Sequence, residues 1–298
     1  MPSTDHNSSG FIFLPDVSDA ICEALPQGIF GAAAPHLKNS GKGLTKLLYS
    51  FYKTIDIEYP VLNQGTIGTC TSFGIAAGVD VTKVADIANG ERSSFVNITA
   101  TEPIYHGARK LGGWRIPGDG ASVALGIKYV HEYGTIARGV YNKIDLSNYS
   151  IEKSRSWGNN RGFPKEIEVI SKDHCIEQYS RVKSYEEARD SIANDCPVVV
   201  GSSYGYSSTC DNDGIAKQNT TWGHCMVMIA IRGDKDLILI ANSWGPNWNK
   251  MPVRKYNEPK GSFWVTAENA HKMCANGDAW SISAHKGYPL KVNSEVVW

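Results

Sequence analysis

The pattern of apolar and polar positions divides this chain into a helical first half and a strand-rich second half. Apolar positions 44, 47, 48, 51 and 52 share one helical face, which predicts a short amphipathic helix over Leu44–Tyr52. Phe73, Ala76, Ala77, Val81, Val84 and Ile87 repeat the helical spacing, and Asn89-Gly90 is a C-terminal stop. Residues 98–134 read as helical on both sides of a glycine-rich loop at 112–120, with the second helix running from Ser122 to Tyr133 and ending at Gly134. From Asp195 onward the texture changes: Val198–Val200, Cys225–Ile231 and Leu237–Ala241 are β-branched or apolar runs separated by turn residues. Residues 1–20 read as polar and poorly ordered. The expected fold class is α+β, a helical lobe beside an antiparallel β-rich lobe with a cleft between them.

Composition narrows the partners. A chain of 298 residues with 42% hydrophobic and 20% charged residues is long enough to bury a substantial core. Its net charge of zero gives no reason to expect nucleic acid or an anionic membrane as a partner. No apolar run approaches the roughly 20 residues that span a bilayer. The N-terminus lacks the positive-then-apolar order of a secretory signal, so a cytoplasmic location is expected. The seven cysteines (22, 70, 175, 196, 210, 225 and 274) are odd in number and lack CxxC spacing, which argues against a disulfide scaffold and a zinc site. Four Asn-X-Ser/Thr sequons, at Asn7, Asn97, Asn148 and Asn219, read as chance in such a protein. Asp211-Asn212-Asp213-Gly214 begins like a calcium loop but lacks the downstream glutamate, and reads as a turn.

Two segments carry chemistry. Asn63-Gln64-Gly65-Thr66-Ile67-Gly68-Thr69-Cys70 places a cysteine at the start of a buried helix, with a glutamine six positions earlier. Gly223-His224-Cys225 is followed by Asn242-Ser243-Trp244-Gly245. A free thiol titrates near 8.5, so a nucleophilic cysteine needs help from a helix N-terminus or an imidazolium. Gln64 and the Cys70 backbone N–H are suited to stabilise a developing oxyanion. A hairpin symmetric about Gly233 would set position 224 opposite 242, with Cβ atoms about 5 Å apart, so that Asn242 orients the imidazole and Trp244 shields the bond. Cys225 alternates with His224 along the strand and should point into the core.

These segments resemble the papain family of cysteine peptidases, in its microbial and viral branches. The pattern N-Q-G-x-x-G-[ST]-C-x-[SA]-F matches Asn63–Phe73, G-H-[AC] matches Gly223–Cys225, N-S-W-G matches Asn242–Gly245, and Gly261–Val265 resembles the closing glycine-aromatic strand. The resemblance implies a two-lobe papain-like fold, Cys70 as nucleophile, His224 as base, Asn242 as orienter and Gln64 as oxyanion donor. It implies a substrate rim of Gly118, Asp119, Gly120, Gly223 and Trp244. It also implies a monomer acting on a protein or peptide substrate, with no cofactor and no metal. Ile67 stands where secreted members carry a disulfide cysteine, Thr71 replaces the usual tryptophan, and residues 249–260 interrupt the pattern. The same thiol chemistry suits an isopeptidase, an amidase or a transpeptidase, and the scaffold also suits an inactive binding protein. The chain divides into residues 1–57, an extension with the place of a prosegment, a peptidase body over 58–284, and a tail over 285–298.

Overall fold

The computed structural model describes residues 10–25, 28–91, 93–114 and 118–285. The ends of the chain, and with them most of the expected C-terminal tail, lie outside the described residues. In chain order, α1 is Pro15–Glu23, α2 Phe30–Ala33, β1 Lys46–Leu47, α3 Ser50–Thr54, α4 Cys70–Ala88, α5 Thr101–Leu111 and α6 Val123–Glu132. A small hairpin, β2 (Val140–Tyr141) and β3 (Ile144–Asp145), leads to α7 (Ile151–Gly158), α8 (Lys165–Ser171), β4 (Ile176–Arg181) and α9 (Tyr185–Ala193). The second half holds β5 (Val198–Cys210), β6 (Ala216–Arg232), β7 (Leu237–Ala241), β8 (Phe263–Thr266), α10 (Ala267–Asn276) and β9 (Asp278–His285). The α+β class read from the pattern is the class observed.

The main sheet runs β4-β9-β5-β6-β7-β8, with β1 added beside β6. Helix α4 is the wedge between the lobes: every residue from Cys70 to Ala85 is buried. Such all-round burial needs small residues where the backbone meets the sheet. A Cβ at Gly74 would lie 2.7 Å from Cys225 Sγ, and one at Gly78 would lie 2.7 Å from a methyl of Val199. Glycine at these two points lets the helix rest directly on β6, which carries His224, and on its neighbour β5. Ser122 caps α6 through its hydroxyl, which accepts from Leu125 N, and the helix ends before Gly134 (φ 78°), as its sequence signals indicate.

Three expectations are corrected. Leu44–Tyr52 is not one helix: Lys46-Leu47 forms a strand opposite Ile231 and Ala230, and only Ser50–Thr54 is helical. The cause is an unsatisfied edge. Strand β5 begins at Val198 opposite Met228, so the last residues of β6 lack a neighbour on that side until β1 supplies one. Residues 10–20 are also ordered, as an extended segment followed by α1, which opens with Pro15 at its first turn. The third correction is hairpin register. The turn holds Gly233–Asp236, setting Arg232 opposite Leu237, and a bulge between Met228 and Ala230 brings Val227 opposite Ala241. Continued outward, that register sets His224 opposite Trp244 rather than Asn242.

The candidate active site

The bulge decides whether the site can form. A register displaced by two residues keeps side chains on the same face, whereas one displaced by three would turn Asn242 to the other face. The turn alone displaces the register by three, and the bulge restores the even count. Asn242 therefore meets His224 diagonally, Oδ1 lying 2.8 Å from Nε2. The same Oδ1 accepts the Ser243 backbone N–H at 2.7 Å, which fixes it as an acceptor. Nε2 must then carry the imidazole proton, leaving Nδ1 with its lone pair. Among the described residues Nδ1 has no hydrogen-bond partner. Trp244 stacks on the imidazole at 4.1 Å between ring centres.

Cys70 is the first residue of α4, where backbone N–H groups lack intrahelical acceptors. Gln64 is fully buried and held at both ends of its amide: Oε1 accepts from the Ser243 hydroxyl at 2.7 Å, and Nε2 donates to Ile67 O at 3.0 Å. Its backbone N–H donates to Ser243 O at 2.8 Å. Ser243 thus ties the glutamine loop of one lobe to the Asn242 turn of the other, a role that its place in the sequence does not signal. Cys225 faces the core beneath α4, as the strand alternation requires.

Residues 10–12 cross the cleft between the two motifs. Gly10 N and Phe11 N both donate to Gly223 O, at 3.0 and 3.1 Å. On the opposite wall Ile12 N donates to Ala121 O at 3.0 Å, and Ala121 N donates to Gly10 O at 2.9 Å, in a parallel bridge. Close approaches to glycine seat this strap. A Cβ at Gly10 would lie 2.1 Å from Gly68 O, and one at Gly201 would lie 2.3 Å from the Phe11 ring. Gly120 (φ 125°) faces Gly10 O and the Ile12 side chain, and its own backbone is fixed by the Tyr105 hydroxyl and the Arg109 guanidinium. Of the expected rim, Gly120 and Gly223 meet the strap and Trp244 meets the histidine, while Gly118 and Asp119 are exposed at the lip. Sequence reasoning missed Ala121, Gly201 and the strap itself. The apolar run Gly10-Phe11-Ile12-Phe13-Leu14 was the available signal.

Burial sets the electrostatics. Burial pushes the Cys70 thiol up to about 11, against backbone hydrogen bonds from Cys225 and Gly10 that pull the other way. Burial also pulls the His224 imidazole down to about 4, opposed by the Asn242 bond. Both shifts favour uncharged partners. For both groups desolvation is the largest influence in this form.

The fold is shared with xylellain, a cysteine protease from Xylella fastidiosa, at 19% identity and a TM-score of 0.62, over 95% of this chain and 98% of that one. The Amb a 11 cysteine protease of ragweed pollen, in its proform, aligns at 16% identity and a TM-score of 0.53, over 93% of this chain and 74% of its own. No curated protein matches the chain. The model of the Peptidase_C39 like family matches residues 121–270, half of the chain, taking in His224 and Asn242 but neither Gln64 nor Cys70. Fold and family together define a cysteine-type peptidase of papain-like architecture. The chain belongs to the Peptidase_C39-like family.

Proposed function

We propose that this chain hydrolyses peptide bonds within polypeptides through a Cys70-centred acyl-enzyme. The observation that carries this reading is the His224 Nε2–Asn242 Oδ1 bond, which leaves Nδ1 as the imidazole's proton acceptor. His224 takes the thiol proton as the Cys70 sulfur bonds to the substrate carbonyl carbon. The oxyanion is met by the Gln64 amide and the Cys70 backbone N–H. Collapse breaks the C–N bond, and the leaving amine takes its proton from His224. Water, deprotonated by the same imidazole, then attacks the thioester and restores the thiol. The substrate backbone lies where residues 10–12 now lie, between Gly120–Ala121 and Gly223, with Gly118, Asp119 and Trp244 at the rim. Every group in this scheme comes from one chain, so a monomer suffices.

In this reading the strap holds the enzyme shut, and Gly10→Ala opens it, because the added methyl collides with Gly68 O. The test is digestion of a peptide library followed by sequencing of the fragments. Internal cleavage is expected with wild type, faster with Gly10→Ala, and none with Cys70→Ala. Equal cleavage by Cys70→Ala contradicts the proposal.

A further inference from the structure

Trp222 stands two residues before His224 and outside the segments that carry the family resemblance. Its ring closes a circuit of five aromatic side chains. Trp222 meets Trp244 edge-to-face at 4.8 Å and 89°. Trp244 meets Trp248 at 5.1 Å, and Trp248 meets Phe263 at 5.4 Å. Phe263 meets Tyr206 at 5.2 Å, and Tyr206 returns to Trp222 at 6.2 Å. A direct contact of 5.8 Å between Trp222 and Trp248 braces the circuit across its middle. The rings come from β5, β6, β8 and the segment after β7, so the turn holding Asn242 is clamped to three strands. The foot of the clamp lies in the core: Tyr206 and Phe263 are buried, and the Tyr206 hydroxyl reaches Met273 Sδ at 3.1 Å.

The circuit bears on His224. Trp244 covers one face of the imidazole, and Trp222 meets the same ring edge-on at 5.8 Å and 74°. The Trp222 indole N–H has no hydrogen-bond partner among the described residues, so ring packing rather than polar bonding fixes this side chain. Burial lowers the proton affinity of His224, and the Asn242 bond opposes it. Its proton affinity therefore depends on how the rings pack around it. An indole face against the imidazole also favours the imidazolium that forms when the thiol gives up its proton.

We propose that Trp222 is a positioning residue for His224, acting through Trp244 to hold the imidazole with Nε2 on Asn242 and Nδ1 left for the thiol proton. This rests on the Cys70–His224 chemistry proposed above. Without Trp222, Trp244 loses its edge-on support, and water gains access to the Asn242 bond.

The test uses the full-length chain as wild type, Trp222→Phe, Trp222→Leu and His224→Ala. Iodoacetamide alkylation of Cys70 is followed by mass spectrometry across the pH range, with thermal unfolding measured in parallel. Trp222→Leu should lower the maximal alkylation rate about threefold to tenfold, the size expected for losing one aromatic pair, and displace the midpoint of the pH profile. Trp222→Phe should move the midpoint less, in the same direction, and it decides the matter if the leucine variant fails to fold. Lowered melting temperatures with pH profiles superimposed on wild type would overturn the positioning role. A wild-type profile unchanged by His224→Ala would instead overturn the Cys70–His224 reading beneath it.

Discussion

Asn242 Oδ1 accepts two N–H groups and so decides which imidazole nitrogen is the base, while Ser243 beside it decides how the Gln64 amide points. Gln64→Ala should lower kcat by about 10²–10³, the range for loss of one oxyanion donor. Ser243→Ala leaves the donor in place but unheld, so its loss should be smaller. The double variant should be no slower than Gln64→Ala alone, because Ser243 acts through Gln64. Steady-state kinetics on the four enzymes checks this, and additive losses would show Ser243 acting elsewhere. The four candidate groups Gln64, Cys70, His224 and Asn242 were legible in the sequence because each sits in a short motif with telling neighbours. Ser243 was not, because its partner is 179 positions away and only folding brings the two together.

The hairpin that presents His224 has a register that its apolar pattern alone does not determine. Both strands were plain from their apolar runs, yet their register depended on a four-residue turn and a bulge, neither of which leaves a strong local mark. The segment Leu44–Tyr52 has helical periodicity, but an open sheet edge claimed two of its residues, since unpaired backbone groups cost more than a short helix gains. Helix α4 was read correctly because its length and burial leave no competing structure. Near its end, Asp86 carries a pH signature. Burial first, then the nearby Glu91 charge, raise its carboxyl to about 7. The folded chain thus keeps a proton that the unfolded chain releases near pH 4. This group's contribution to stability is full below about pH 4 and is lost as the pH rises through about 7. Asp86→Asn should therefore match wild type at acidic pH and be the more stable protein at pH 8, by urea unfolding. Parallel curves for the two proteins across that range would show that Asp86 ionises normally.

Across the molecule, the described residues of the N-terminal extension pack with the two lobes as one unit. The extension was visible as a segment outside the family pattern, but its path through the cleft was not, since Phe11 finds Gly201 and Gly10 finds Gly68 only in the fold. The Gly10 carbonyl accepts from Ala121 N and the Gly10 N–H donates to Gly223 O, so the strap is tied to both walls of the cleft. On the reading proposed above the strap is a plug and not a substrate, so the intact mass of wild type should stay constant over hours, as should that of Cys70→Ala. Cys70-dependent loss of N-terminal residues would instead make the strap a self-removed prosegment. The most direct test of the account is site-resolved labelling of the seven cysteines with an electrophilic epoxide at pH 6–7, compared across wild type, Gly10→Ala and His224→Ala. Cys70 alone should be labelled, slowly in wild type where burial pushes its thiol up to about 11, at least about tenfold faster once the strap is displaced, and hardly at all without His224. Labelling centred on another cysteine, or a Cys70 rate indifferent to both Gly10 and His224, would contradict it.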